Sequence, residues 1–262
     1  MKFFMLGEFN LDKITTVTNQ KGGVGKTTTS IALVSGLSAR GYRVLGIDLD
    51  PQGSLGFSAG LDIENNDTIY EVLKGKSPIQ QAIIETDIGD FIPSNILLST
   101  AELEFNVTGR EYLLHNELQK IEQDYDFIII DTPPALNVLT VNAYVASSGL
   151  IIPMAPEILS LLGISQIRDT IETVRHYYNP DLSVLGILLT RFNQRYMLNL
   201  EVEEMAREVA KGLDTVVFDT KIRSSIAVAE APAHGQSVID YAPDSRPAQD
   251  YSDLIDELLE EG

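Results

Sequence analysis

The sequence predicts an α/β fold: a doubly wound, mostly parallel sheet with helices on both faces. Three observations predict it. A glycine-rich stretch, "NQKGGVGKTTT" at 19–29, joins a β-branched run to a helix-period run. Two further apolar runs end in aspartates, "RVLGIDLD" at 43–50 and "DFIIIDTPP" at 126–134. Strand-like and helix-like stretches then alternate along the rest of the chain. Alternation with right-handed crossovers gives a doubly wound sheet. Continuous apolar runs are what strands covered on both faces require.

The elements follow in order. Residues 14–19, "ITTVTN", are β-branched and mostly apolar and read as the first strand. Residues 27–40, "TTTSIALVSGLSAR", place Ile31, Val34 and Leu37 three apart, and Gly41 supplies a stop. Strand, glycine turn and helix together form the setting of a phosphate-binding loop, G-x-x-x-x-G-K-[ST]. Gly22, Gly23 and Gly25 let the backbone around Val24 curl so that its N–H groups face a phosphate, and the helix start adds positive potential for Thr27 and Thr28. Lys26 is placed to meet the β- and γ-phosphates of a bound nucleotide, and the Thr27 hydroxyl to hold Mg²⁺. The position of the motif's first glycine is taken by Gln20, and a second lysine, Lys21, follows it.

Asp131 ends the strand at 126–134 and reads as the acid beside Mg²⁺. Asp48 and Asp50 end another strand and form a second acidic pair, able to orient a water or to bind metal-held water. Strand-end aspartates also begin turns, and that reading stands beside the first. Further strands are expected at 149–154, "GLIIPM", and 183–190, "SVLGILLT"; another apolar stretch, "TVVFDT", ends in Thr220. Helices are expected near 110–124 and 160–178.

Composition narrows the class. With 262 residues, one large α/β domain over 1–262, with a short extension at 1–13, accounts for the chain. There is no cysteine, which excludes disulfides, thiolate metal sites and iron–sulfur clusters. No apolar run approaches the length of a spanning helix, and the start lacks the pattern of a signal peptide, so a cytoplasmic protein is expected. The three histidines, His115, His176 and His234, suggest no triad or metal site. Net charge is −19, which taken whole opposes a polyanionic partner. The distribution is uneven. Residues 168–223 carry eight Lys/Arg against nine Asp/Glu, and the rest of the chain holds nearly all of the excess acid.

The motifs resemble those of a known family. "KGGVGKTTT" with Lys21, "DLDPQGS" at 48–54 and "IIIDTPP" at 128–134 are similar to the deviant Walker motifs of ParA/MinD P-loop ATPases. "FIPSN" at 91–95 and "AELEF" at 101–105 resemble that family's middle segment. "PMAPEILSLLGISQI" at 153–167 and "EAPAHGQSVIDYAPDSRPAQDY" at 230–251 resemble its ParA/Soj partition branch. The resemblance implies ATP and Mg²⁺ as ligands, a weak intrinsic ATPase, and a homodimer formed on ATP binding. It implies that Lys21 is the signature lysine reaching the partner subunit's ATP, that Asp50 orients the attacking water, that Asp48 supports the Mg²⁺ shell and that Asp131 is the Walker-B acid. Arg191, Phe192, Asn193 and Pro232 are the implied candidates for adenine contact.

The same resemblance implies nonspecific DNA binding by surface cations, with Arg195, Arg207, Lys211, Lys221 and Arg223 as candidates, and release by a ParB-like protein that stimulates hydrolysis. Glu203 precedes Arg207 by four residues, so a helix-surface ion pair competes with that role. The cargo, plasmid or chromosome, is not implied; nucleoid association follows only if DNA is bound. The acidic tail "DYSDLIDELLEEG" would be repelled by anionic lipid and is expected to pack on the domain as a final helix, not to bind a membrane. With only about 13 residues ahead of the first strand, an added helix-turn-helix domain is not expected. Two other functions share the motifs: a positioner of a non-DNA protein cargo, and a P-loop synthetase or amidoligase.

Overall fold

The computed structural model describes residues 11–105 and 107–259; most of the extension expected at 1–13, and the last residues of the acidic tail, lie outside them. Seven strands form one sheet: β1 (Ile14–Val17), β2 (Val44–Asp48), β3 (Ile84–Thr86), β4 (Gly89–Ile92), β5 (Phe127–Asp131), β6 (Gly149–Met154) and β7 (Ser183–Leu189). Their order is β3-β4-β2-β5-β1-β6-β7. Every neighbouring pair is parallel except the β3/β4 hairpin at one edge. The glycine-rich turn therefore leaves the middle of the sheet, at the carboxyl end of β1, with the carboxyl ends of β5 and β6 on either side. That is the crevice where open α/β sheets bind ligands.

The period-two alternation of the central strands feeds two cores, one on each face. Ile128 and Ile130 of β5 join one and Ile129 the other. Five helices of nine residues or more are found among the described residues: α1 (Lys26–Ala39), α2 (Val138–Ala146), α3 (Ile158–Tyr177), α4 (Met197–Lys211) and α5 (Arg246–Leu259). Leu139 and Ala143 of α2, Ile167 and Ile171 of α3, and Val202 and Ala206 of α4 pack on the first face. Ile31 and Leu37 of α1 pack on the second with Tyr251, Leu254 and Leu258 of α5. Residues at three- and four-residue spacing supply these stripes. The final helix thus buries its apolar side against the domain, and the backbone of Leu11 is tied to it, its N–H donating to Leu258 O at 2.8 Å.

Three expectations change. The helix expected near 110–124 is broken into a 3₁₀ turn at Arg110–Tyr112, a short helix at Leu113–Leu118 and another 3₁₀ turn at Glu122–Asp124. The Asn142 side chain explains the break at its start: its amide donates to Arg110 O (2.8 Å) and accepts from Leu114 N (3.1 Å). Backbone groups bonded to a side chain are lost to the helical ladder. "TVVFDT" touches the sheet through a single bridge, Ile187 to Val217. Its Phe218 ring lies over Gly186, where a Cβ would sit 2.6 Å from the ring. The β3/β4 hairpin, which the alternating pattern did not announce, turns at Asp87 and Ile88 and enters β4 at Gly89 with φ +127°, a conformation open to glycine.

Candidate nucleotide site

The loop between β1 and α1 is held from the ends of β6 and β7, on one side of β1. Asn19, buried, donates from Nδ2 to Pro153 O of β6 (2.7 Å) and accepts from Lys21 N at Oδ1 (2.9 Å). Thr190, just past β7, donates to Val24 O (2.8 Å). Gly25 opens α1 with φ +91°, and a Cβ there would meet Thr190 Cγ2 at 3.5 Å. Gly23 has φ +73°, whereas Gly22 faces open space. The curl foreseen from the glycines is present and is fixed by side chains far away in sequence.

Within the curl Lys26 is buried and donates from Nζ to Lys21 O (3.3 Å). Burial pushes its pKa down, while Asp131 and then Asp50 pull it back up. Thr27 donates to Asp131 Oδ2 (2.7 Å) and Ser30 to Asp131 Oδ1 (3.1 Å). Asp131 is fully buried, and burial raises its pKa to about 6 against the opposing pull of Thr27, Lys26 and Ser30. Asp48 is its register partner on β2 and is equally buried. Burial, then the Asp131 charge, raise the Asp48 pKa well above the usual carboxylate range. The Asp48 carboxylate accepts the backbone N–H groups of Asp50 (2.9 Å), Leu55 (2.9 Å) and Gly56 (3.4 Å), so it shapes the turn after β2. Asp50 is half-buried and accepts from Gln52 N (3.0 Å).

A hydroxyl and a carboxylate side by side are hard oxygen donors, a set that suits Mg²⁺ when phosphate and water supply the remaining ligands. No cluster of three or more His, Cys, Asp or Glu that could hold a metal occurs among the described residues. A cation here would therefore share its shell with the nucleotide. A cavity of about 630 Å³ adjoins the loop, lined among others by Thr27, Thr28, Gln52, Phe57 and Pro232. Asn193 lies elsewhere, in a groove of about 540 Å³ with Arg191, Arg195, Lys221, Arg223 and Arg246. The structure thus divides the four adenine candidates: Pro232 lines the cavity beside the loop, and Arg191, Phe192 and Asn193 line the groove. Arg191 links the groove to the loop. It carries φ +53°, and its Nη2 lies 3.8 Å from where a Gly23 Cβ would be.

The remaining cations divide by partner. Lys21 is ion-paired with Glu157, just ahead of α3, and donates to Ser160 Oγ (3.4 Å). Arg207 pairs with Glu203 at 2.8 Å, as the four-residue spacing allowed, and Lys211 with Glu208 at 2.6 Å. Lys221 reaches the same Glu203 (3.1 Å) and lies over the Phe192 ring. Arg223 is bonded to buried Asp250 through Nε (2.9 Å) and through its own backbone N–H (2.8 Å). Arg195 makes no ion pair among the described residues. Sequence reasoning missed Asn19, Ser30, Glu157, Thr190 and Arg246. Ser30 was within reach of it, one turn beyond Lys26 on α1. The others act across more than 130 residues or, for Arg246, from the far end of the chain, where no local pattern marks them.

Comparison with known proteins agrees with this geometry. Residues 12–184 match a family model described as an AAA domain. The sporulation initiation inhibitor protein Soj of Bacillus subtilis is 41% identical over 258 residues, covering 96% of this chain and 100% of that protein. The chromosome partitioning protein ParA of Caulobacter vibrioides is 39% identical over 255 residues, with 94% of each chain covered. Among solved structures, cobyrinic acid a,c-diamide synthase from Mycobacterium smegmatis with bound ADP and magnesium has a TM-score of 0.81 at 34% identity, covering 94% of this chain and 93% of that one. With the phosphate loop, the second lysine at its entrance and the paired strand-end aspartates in place, and with identity to Soj running the length of the fold, the chain belongs to the ParA/MinD family of P-loop ATPases.

Proposed function

We propose that this chain is an ATP-dependent partition ATPase: it dimerises on binding ATP with Mg²⁺, binds DNA without sequence preference, and is released when a ParB-like partner stimulates hydrolysis. The observation that carries the reading is the division of labour between two lysines. Lys26 is buried against its own loop beside Asp131, whereas Lys21 points away to Glu157. A cation directed away from its own phosphate loop can serve a facing subunit once it gives up Glu157, as a trans arginine finger does.

The residues then act as follows. Lys26 and the loop N–H groups bind the β- and γ-phosphates. Thr27 and Asp131 would hold Mg²⁺, which would supply positive charge to neutralise charge developing on the phosphates. Asp48, through its backbone contacts, sets the turn that presents Asp50, and supports the cation's water shell. Asp50 orients the attacking water and accepts its proton. Lys21, released from Glu157, contacts the partner's nucleotide and couples binding to dimerisation. Pro232, in the cavity beside Thr28, and Asn193, in the groove, are the proposed adenine contacts.

For DNA, the groove brings together Arg191, Arg195, Lys221, Arg223 and Arg246 against Asp219 and Asp250. This local excess supports phosphate binding despite the net charge, because at physiological salt distant acids are screened beyond about 8 Å. Arg207 and Lys211 remain weaker candidates, each with its own carboxylate. A dimer would present two grooves, and affinity should fall steeply with salt. Among the described residues no helix is long and apolar enough to cross a membrane.

The test is sedimentation with and without ATP and nonspecific DNA. ATP-dependent dimers that carry DNA support the reading. Dimers that ignore DNA even at low salt would shift it to a positioner of protein cargo. The synthase named among the solved structures favours a second reading, a ligand-making enzyme using the cavity beside Thr28 for substrate. Absence of both dimers and DNA binding would favour it.

A further inference from the structure

Gln20 takes the place where the phosphate-loop motif has its first glycine. A glycine there presents no side chain; this chain puts an amide in its place. The Nε2 of that amide is buried and has no hydrogen-bond partner. Buried side-chain donors are nearly always paired, and an unpaired one calls for a ligand or a functional reason. Its neighbours are fully engaged. Asn19 uses both ends of its amide, on Pro153 O and on Lys21 N. The carbonyl of Lys21, the residue immediately after Gln20, accepts from Lys26 Nζ at 3.3 Å. The backbone on either side of Gln20 is thereby fixed. Its free donor sits next to the residue whose carbonyl holds the ammonium that meets the terminal phosphates in such loops.

Resting on the phosphate-loop reading, we propose that the Gln20 side-chain amide is the donor that distinguishes nucleoside triphosphate from diphosphate: unpaired within its own chain, it donates to the terminal phosphoryl group of a bound triphosphate. A neutral amide suits this task. It would add a hydrogen bond to a charged oxygen without adding a third cation to Lys26 and Lys21, and a diphosphate lacks the phosphoryl group it would meet. The buried, unpaired donor is then the stability given up for that discrimination, as functional sites commonly show.

The test titrates Mg²⁺-ADP and a non-hydrolysable Mg²⁺-ATP analogue into the full chain by calorimetry, for wild type, Gln20→Met and Gln20→Glu. All are made in a Lys21→Ala background so that dimerisation does not contribute. Met has nearly the reach of Gln but no donor; Glu offers only acceptors. The expected result for Gln20→Met is ADP affinity within about two-fold of the parent and analogue affinity about ten-fold lower, the loss of one hydrogen bond to a charged group. Gln20→Glu should lose more of the analogue affinity. The thermal midpoint of nucleotide-free Gln20→Met should equal or exceed the parent's, since a buried unpaired donor has been removed. Unchanged analogue affinity in Gln20→Met, an equal loss of ADP and analogue, or a lowered midpoint would each overturn the proposal in favour of a structural role. Failure of the parent to bind ADP would overturn the phosphate-loop reading itself, and this inference with it.

Discussion

The phosphate loop and the groove at 191–246 are both rich in cations, and they are wired in opposite ways. At the loop, contacts spanning more than 100 residues fix one arrangement: Asn19 to Pro153, Val24 to Thr190, Thr27 to Asp131. Lys26 is buried there with few partners of its own. In the groove two of the five cations are already answered by carboxylates, Lys221 by Glu203 and Arg223 by Asp250, and the side chain of Arg223 is 43% exposed. A buried cation inside a phosphate-binding loop is committed to a ligand. A paired surface cation must give up a partner before it can bind anything. Whether a lysine or arginine is functional is therefore decided less by where it stands in the sequence than by what already holds it.

The sharpest way to break this contrast is Lys26→Ala. Removing the buried ammonium should weaken Mg²⁺-ATP binding by roughly 100-fold or more, in the range seen when one partner of a buried charge pair is truncated. Nucleotide titration measures it, and near-wild-type affinity would remove the phosphate-loop assignment. Asp50→Ala comes next. Turnover should fall by about 100-fold, the lower end for a lost general base, while ATP affinity survives and the dimer accumulates. Undiminished turnover would return Asp50 to the role of a turn residue, for which its bond with Gln52 N already qualifies it.

The groove should respond more gently. Arg195→Glu is the informative substitution, because Arg195 has no ion pair among the described residues to confuse the outcome. DNA affinity should drop several-fold at low salt and the salt dependence should lose about one phosphate contact per groove, with ATP-dependent dimerisation unchanged. Arg223→Glu is a poorer probe, since it would set a new carboxylate against buried Asp250 and disturb the fold as well as the surface. If Arg195→Glu binds as wild type does, the DNA surface lies elsewhere. The smallest effect is expected from Glu157→Gln. It frees Lys21 from an exposed ion pair worth at most about 1 kcal/mol, so ATP-dependent dimers should form up to about five-fold more readily. Fewer dimers would show that Glu157 assists dimerisation instead of restraining Lys21.

The same contrast explains what could be read from the sequence. The loop was legible because its glycines, Lys26 and Thr27 lie close together, and strands β2, β5 and β6 because both-face burial leaves unbroken apolar runs, in β2 and β5 ending in acids. The two-core arrangement followed from the alternation of strand and helix. The β3/β4 hairpin escaped because its strands are three and four residues long and only partly buried. The helix near 110–124 was misread because Asn142, more than 20 residues away, captures its backbone. In the site, Asp131 and Asp48 were found at their strand ends, but nothing local shows that Asp48 spends its carboxylate on backbone N–H groups. The carboxylates that hold Lys21, Lys221 and Arg223 come from other elements of the chain, and composition reports only that acids abound.

The central claim is that two lysines five residues apart serve two different nucleotides. Sedimentation equilibrium of wild type, Lys21→Ala and Asp50→Ala, each with Mg²⁺-ATP and each with bound nucleotide measured in the same sample, tests it most directly. The account predicts nucleotide-bound dimers for wild type and Asp50→Ala, and a nucleotide-bound monomer for Lys21→Ala. A Lys21→Ala protein that dimerises with ATP as wild type does, or one that no longer binds ATP at all, would contradict it.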